Sequence, residues 1–377
     1  MTPDILTYAG CGVMIASAIG TPFINILFRR PRPQQGENEN KPSFSIVIPV
    51  HDNASELERH LPHYLSQHYD GDFEIIVVES KTGDRTEEIL QKYSDDKRLY
   101  STFIPSSSKY MSRKKLAMTV GAKAAKYEWL IFADVECCPT DDRWLDSIAK
   151  ECDNEKELAI GYNNYDDETN DFYRFNRFVN GMYALRKAIK KTAYRASSDW
   201  VAIKRDLFMN EKGFEGNLMF IRGEYDFIVN KFANDNNTAV ITAPEGHTTT
   251  DTPTKKTWKN RNLFYMETRR HLERSFSYRF GFIADTIAMY LAYILIIAGL
   301  ITGIITNNII LIIAAALSLI INITERTLIA RKAFSLYDED IPLWKVVTFE
   351  ISMLFHNLHY KIKYRFSDKY DFTSHKL

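Results

Sequence analysis

Asp134 and Glu136 stand one residue apart in FADVECCP (132–139), where the apolar run WLIFA breaks off. Two carboxylates so spaced can offer oxygen ligands to a hard divalent cation, and such a cation neutralises phosphate. The same pair can also end an ordinary strand in solvent, so by itself it decides nothing. Two other groups of polar residues follow apolar runs in the same way. Pro49 to Asp52 closes FSIVIPV (44–50), and Glu79 to Asp84 closes FEIIVVES (73–80). Whether these groups meet depends on the elements that carry them.

Those elements alternate. FSIVIPV is followed by the amphipathic SELERHLPHYLSQ, which Pro62 perturbs as a helix, and then by FEIIVVES. TGDRTEEILQKY has Gly83 and Asp84 at a turn and Thr86 positioned to cap a helix. RLYSTFIP, the helical SRKKLAMTVGAKAAKY and the strand WLIFADV come next. Strand and helix in alternation predict a parallel α/β sheet, and continuously apolar strands predict cover on both faces. In such sheets ligands bind outside the carboxyl ends of the strands, so the three polar groups are expected on one rim.

The 48 basic and 48 acidic residues balance, so no nucleic-acid partner is expected. The cysteines Cys11, Cys137, Cys138 and Cys152 form no CxxC pair, which argues against a disulfide framework or zinc site and fits a reducing compartment. Residues 5–28 carry no charge. As a helix they reach roughly 36 Å, enough for a bilayer core of about 30 Å. Arg29, Arg30 and Arg32 follow, which suits an anchor with its N-terminus outside rather than a cleaved signal. A second uncharged stretch, Thr286–Thr324, is interrupted by Asn307-Asn308 and reads as a hairpin of roughly 283–306 and 309–324. The second arm is short for a full span. Arg269, Arg270, Arg274 and Arg279 precede the hairpin, and Arg326, Arg331 and Lys332 follow it. Both flanks therefore favour the cytoplasmic side.

Taken in order, the segments between about 43 and 275 resemble a family 2 glycosyltransferase of GT-A fold. FSIVIPVHDNASELERHL resembles the family's opening strand and helix. EIIVVESKTGDRTEEIL resembles its strand and acidic turn, with Glu79 at the position of the base-binding acid and Asp84 at the later Asp. RKKLAMTVGAKAAKYEWLIFADVE is similar to the family's Lys-containing helix and the strand into Asp-x-Asp. Lys114 falls at the Lys position, and Asp134 and Glu136 fall on Asp-x-Asp. RGEYDFIVNKF resembles the Glu-Asp motif of the catalytic base, although Tyr225 stands where the Asp is usual. TWKNRNLFYMETRRH resembles the Gln-x-x-Arg-Trp-type helix that closes over the diphosphate, with Arg269-Arg270-His271 in place of the motif's Arg-Trp.

The resemblance implies a Rossmann-like, mostly parallel mixed sheet flanked by helices. It implies Mg²⁺ or Mn²⁺ on Asp134 and Glu136, with His247 as a further ligand, against the alternative of a solvated loop histidine. Pro49, His51, Glu79, Asp84, Lys114, Asp134, Arg269 and Arg270 would hold the nucleotide sugar. Membrane flanking is an equal reading for Arg269 and Arg270. Asp226 or Glu224 would be the base, with Asp226 favoured and a helix N-terminal role as the alternative.

The expected organisation is an anchor (1–30), a linker (31–42), the GT-A domain (43–275), a transmembrane hairpin (276–326) and an amphipathic interfacial tail (327–377). The expected function is inverting, metal-dependent transfer from a nucleotide-diphosphate sugar, a UDP-sugar, to a lipid-linked or polysaccharide acceptor. The expected location is the bacterial inner membrane, multi-pass, with the catalytic domain facing the cytoplasm and other envelope-glycan enzymes and membrane lipid as partners. The rival reading is a non-catalytic partner that binds a sugar nucleotide or scaffolds a membrane assembly.

Overall fold

A computed structural model describes residues 5–80, 85–104, 112–196 and 198–373. The chain divides into two compact units, one of Arg32–Glu273 with His359–Leu377 and one of Met1–Pro31 with Arg274–Leu358. Helix α1 (Ile5–Gly20) belongs to the latter.

In the Arg32–Glu273 unit the expected alternation is present. It runs β1 (Phe44–Val50), α2 (Ala54–Leu65), β2 (Phe73–Ser80), α3 (Thr86–Gln91), β3 (Leu99–Ile104), α4 (Arg113–Ala124) and β4 (Trp129–Ala133). The chain continues through β5 (Cys137–Pro139), α5 (Trp144–Glu151), β6 (Leu158–Gly161), β7 (Asn163–Tyr165) and α6 (Asp171–Lys190). It closes with β8 (Trp200–Lys204), α7 (Arg205–Asn210), α8 (Glu224–Phe232), β9 (Thr238–Ile241), β10 (Thr248–Thr250) and α9 (Lys255–His271). A 7-stranded sheet has the order β3-β2-β1-β4-β8-β6-β9, and a 3-stranded sheet has the order β5-β10-β7. Strands β3, β2, β1 and β4 are mutually parallel. Strand β8 runs against β4 and β6, so the sheet is mixed.

Strands β1 and β4 are buried along their whole length, as continuous apolar runs require. Trp129, Trp144 and Trp200 are fully buried in the core, with Trp144 and Trp200 edge to face at 5.4 Å between ring centroids. Helix α4 lies close on the sheet because Gly121 has no side chain. A Cβ there would fall 2.3 Å from Val47 Cγ1. Ser112 caps α4 by accepting from Lys115 N at 3.3 Å. Thr86, expected to cap the next helix, is instead the first residue inside α3, and Arg85 occupies the cap position without a side-chain bond. Pro62 lies inside α2 without ending it.

In the Met1–Pro31 unit, α10 (Phe276–Ile305) and α11 (Ile309–Tyr337) form the hairpin. Helix α12 (Val346–Arg365) follows, and its first part belongs to this unit. Among the described residues three helical stretches, Ile5–Ile24, Phe276–Ile305 and Ile309–Tyr337, are long and apolar enough to cross a membrane. The second arm does not stop near Thr324. It runs to Tyr337 because Arg326 is accommodated inside: its guanidinium lies 3.1 Å from Asp285 Oδ1 and 3.0 Å from Glu350 Oε2. Asn25 Nδ2 donates to the other Glu350 oxygen at 2.6 Å. Asn322 Nδ2 donates to Ala18 O at 2.9 Å, and Asn308 Nδ2 to Thr7 Oγ1 at 3.0 Å. In an apolar surrounding, polar side chains persist where they pair in this way.

Candidate active site

Because β1, β2 and β4 are parallel, their exits fall on one rim. Val50 pairs with Glu79, which brings Pro49, His51 and Glu79 to neighbouring strand ends. His51 is exposed, with Nε2 3.8 Å from Asp52 Oδ2. Asp84 lies outside the described residues. At the end of β4, Ala133 pairs with Trp200, so Asp199, just before β8, arrives beside Asp134. The backbone joins them, Asp134 N donating to Asp199 O at 2.9 Å.

Side chains from five further elements converge here. Lys114, in the first turn of α4, pairs with Asp134 Oδ2. Arg261 of α9 lies with Nη2 2.6 Å from Glu136 Oε2 and Nη1 3.4 Å from Asp199 Oδ2. Arg177 of α6 pairs with Asp199 Oδ2 at 3.0 Å, and Thr250 Oγ1 of β10 donates to the same oxygen at 2.9 Å. Arg261 also donates to Tyr165 OH at 3.1 Å. Asp134, Glu136 and Asp199 are thus matched one for one by Lys114, Arg261 and Arg177.

The charges set the protonation states. Burial works against ionisation of Asp134, but Lys114 outweighs it and the carboxyl is held below its ordinary value. Burial likewise opposes ionisation of Asp199, and Arg177 and Arg261 overcome it, holding that carboxyl far below. Glu136 is pushed up, first by burial and then by the neighbouring Asp134. Burial would lower Lys114, yet Asp134 and Glu224 raise it, so it stays charged. The neighbouring Lys115 points elsewhere, donating to Asn217 O at 2.6 Å and Phe220 O at 2.8 Å. Burial lowers it to about 8.

Helix α8 begins beside this cluster. Its cap, Gly223, has φ +93°, a conformation open to glycine, and a Cβ there would meet Thr268 Cγ2 at 2.6 Å. Glu224 is 3 % exposed, and its Oε1 has no hydrogen-bond partner among the described residues. Lys114 Nζ sits 4.8 Å from the centre of the Tyr225 ring. Burial, followed by Asp134 and Glu224, keeps the Tyr225 phenol protonated far above its ordinary range, so it cannot act as a base. Asp226 turns away, accepting from Ala196 N at 3.1 Å.

The remaining expected residues lie elsewhere. His247 is buried, its ring 4.7 Å from that of Tyr162 and its Nε2 3.3 Å from Thr242 O. The structure does not bring it to Asp134 and Glu136. Arg270 donates to Tyr364 OH at 2.8 Å, and Arg269 Nη1 lies 3.6 Å from Met266 Sδ. Arg261, about 12 Å back along the helix from Arg269, is the α9 arginine that pairs with Glu136. Burial pushes the Cys137 thiol up and Cys138 to about 12, so both are fillers rather than thiolate ligands. Asp199, Arg177, Arg261 and Tyr165 are site residues that no local pattern singles out.

Among the described residues no group of three His, Cys, Asp or Glu side chains is arranged to hold a metal ion. The donor set nonetheless suits a hard cation that completes its shell with phosphate oxygens. Asp134 and Glu136 supply oxygen alone, and their side chains are 18 % and 29 % exposed.

The mixed, mainly parallel sheet with acids at a strand exit and opposed cations from helices is a GT-A-like fold. Residues 45–210 match the family described as glycosyl transferase family 2. No curated protein matches the chain. Among solved structures it is similar to a mannosyltransferase from Pyrobaculum calidifontis in complex with GDP-Man and Mn²⁺. The identity is 15 %, the TM-score is 0.53, and the match covers 89 % of this chain and 100 % of that one. It is also similar to TarS 1–349 of S. aureus with UDP-GlcNAc, at 13 % identity and TM-score 0.43, covering 67 % of this chain and 66 % of that one.

Proposed function

We propose that the enzyme moves a sugar from a nucleotide-diphosphate sugar to a hydroxyl of a membrane-associated acceptor, lipid-linked or polysaccharide, with inversion. The observation that carries this reading is the set Asp134, Glu136, Lys114 and Arg261 at the β4 exit, with Glu224 beside it. Pro49, His51 and Glu79 would receive the base at the neighbouring strand ends. Lys114 and Arg261 supply positive charge where a diphosphate leaves, and charge-assisted bonds from such groups strengthen as the leaving group gains charge. Asp134 and Glu136 would hold Mg²⁺ or Mn²⁺, which supplies Lewis-acid neutralisation of the diphosphate.

Glu224 is the proposed base. Its partner-free oxygen accepts the acceptor's proton as the acceptor oxygen bonds to the anomeric carbon and the bond to the diphosphate breaks. Asp226 is less suited, because one of its oxygens is occupied by Ala196 N. Tyr225, held neutral, can donate a hydrogen bond to the donor or acceptor. The basic residues beside the apolar helices favour a cytoplasmic catalytic unit in a multi-pass protein of the bacterial inner membrane.

The test is transfer or hydrolysis across a panel of sugar nucleotides with Mn²⁺, beginning with UDP-sugars and including GDP-mannose. Wild type is compared with Glu136→Gln and Glu224→Gln. Turnover that both substitutions leave unchanged refutes the assignment.

A further inference from the structure

The Asp134–Cys137 turn is held by its backbone, and α2 does much of the holding. Each of its carbonyls has a partner. Asp134 O accepts from Cys137 N at 2.9 Å, and Glu136 O accepts from Asp251 N at 3.1 Å. Cys137 O accepts from Tyr64 OH at 2.8 Å. Val135 O, between the two acids, faces His60 Nδ1 at 2.8 Å. A carbonyl can only accept, so Nδ1 is the donor. His60 is 5 % exposed. Its Nε2 lies 3.2 Å from Asp251 Oδ1, and Arg59 Nη2 lies 2.9 Å from Asp251 Oδ2. Gln67, seven residues along from His60, continues the pattern with Nε2 donating to Asp141 O at 3.0 Å and Oε1 accepting from Leu145 N at 3.1 Å. His60 and Tyr64 lie one turn apart on the same face of α2, and Gln67 follows just beyond the helix end.

We infer that His60 and Asp251 are positioning residues that fix the angle between the Asp134 and Glu136 carboxylates. Neither touches the donor. His60 fixes the peptide between the two acids. Asp251 fixes the peptide after Glu136 through its N–H and orients His60 through its carboxylate. A turn left loose would let the two acids point independently, and a cation with a diphosphate needs both at once. Partners of ligating groups commonly matter to metal affinity by about 10–100-fold.

This rests on the donor reading above, and the full chain in detergent can separate the two. Hydrogen exchange is followed over residues 134–138, and Mn²⁺-dependent binding of UDP and of GDP is measured by calorimetry, for wild type, His60→Leu and His60→Gln. His60→Leu is expected to speed exchange in this turn but not in β1 or β2. It is also expected to weaken Mn²⁺-nucleotide binding at least about tenfold, with the melting temperature nearly unchanged. His60→Gln, which keeps a donor, recovers part of the affinity. Wild-type affinity in His60→Leu overturns the inference, as does a lower melting temperature with affinity unchanged. A wild type that binds neither nucleotide removes the donor reading and this inference with it.

Discussion

Replacing Arg261 by Met separates two roles that its position combines. Its guanidinium lies 2.6 Å from Glu136 Oε2 and 3.4 Å from Asp199 Oδ2. At an effective dielectric of about 20, the Glu136 pair has a gross attraction of about 6 kcal/mol. Desolvation opposes this attraction. Water also reaches the pair, since the two side chains are 27 % and 29 % exposed, so a net value of about 1–2 kcal/mol is reasonable. A cation seeking Glu136 must first displace that partner. Arg261→Met is therefore expected to bind Mn²⁺ alone about tenfold more tightly, since about 1.4 kcal/mol is a factor of ten. Its turnover should nevertheless fall by about 10²–10³, because the charge facing the departing diphosphate is gone. Arg261→Lys should lie between, since an ammonium cannot reach Glu136, Asp199 and Tyr165 together. Mn²⁺ titration followed by calorimetry, beside steady-state kinetics on the donor found by the panel, reads both quantities. Weaker Mn²⁺ binding in Arg261→Met, or wild-type turnover, refutes the reasoning.

Glu224→Gln should lower kcat by about 10²–10⁴ with little change in KM for the donor, whereas Asp226→Asn should change kcat less than about tenfold. Steady-state rates with both variants decide between the two acids. The raised Glu136 carboxyl protonates at a higher pH than a free glutamate, whose pKa is about 4.3. Donor affinity that depends on its ionised form should therefore be complete on the alkaline side and fall away as pH drops, with a midpoint above that value. Glu136→Gln should abolish this limb of the pH–binding profile. In the helical hairpin, Arg326→Met leaves Asp285 and Glu350 facing each other without their cation. A loss of about 3–5 kcal/mol is expected in detergent unfolding. The triple change Arg326→Met, Asp285→Asn and Glu350→Gln should restore most of it.

The β-α-β alternation, the strand limits of β1 and β2, the carboxylate pair at the β4 exit and the apolar helices are all legible in the chain. They follow from local patterns: continuous apolar runs, turn residues, caps and uncharged length. Lys114 is reached through the resemblance, which sets it at the Lys position of the family's helix. Arg177, Asp199 and Arg261 are not. These residues sit on α6, before β8 and on α9, and no local period marks side chains whose partners lie 22, 62 or 125 residues away. The choice between Glu224 and Asp226 was equally closed to pattern. Two acids two residues apart on a helix point in different directions, and the packing of α8 sets Glu224 to act on Lys114 while Asp226 accepts from Ala196 N. The length of α11 depended on tertiary contacts for the same reason. An arginine in an apolar helix reads as a stop until the carboxylates that receive it are known, and Asp285 and Glu350 come from other helices.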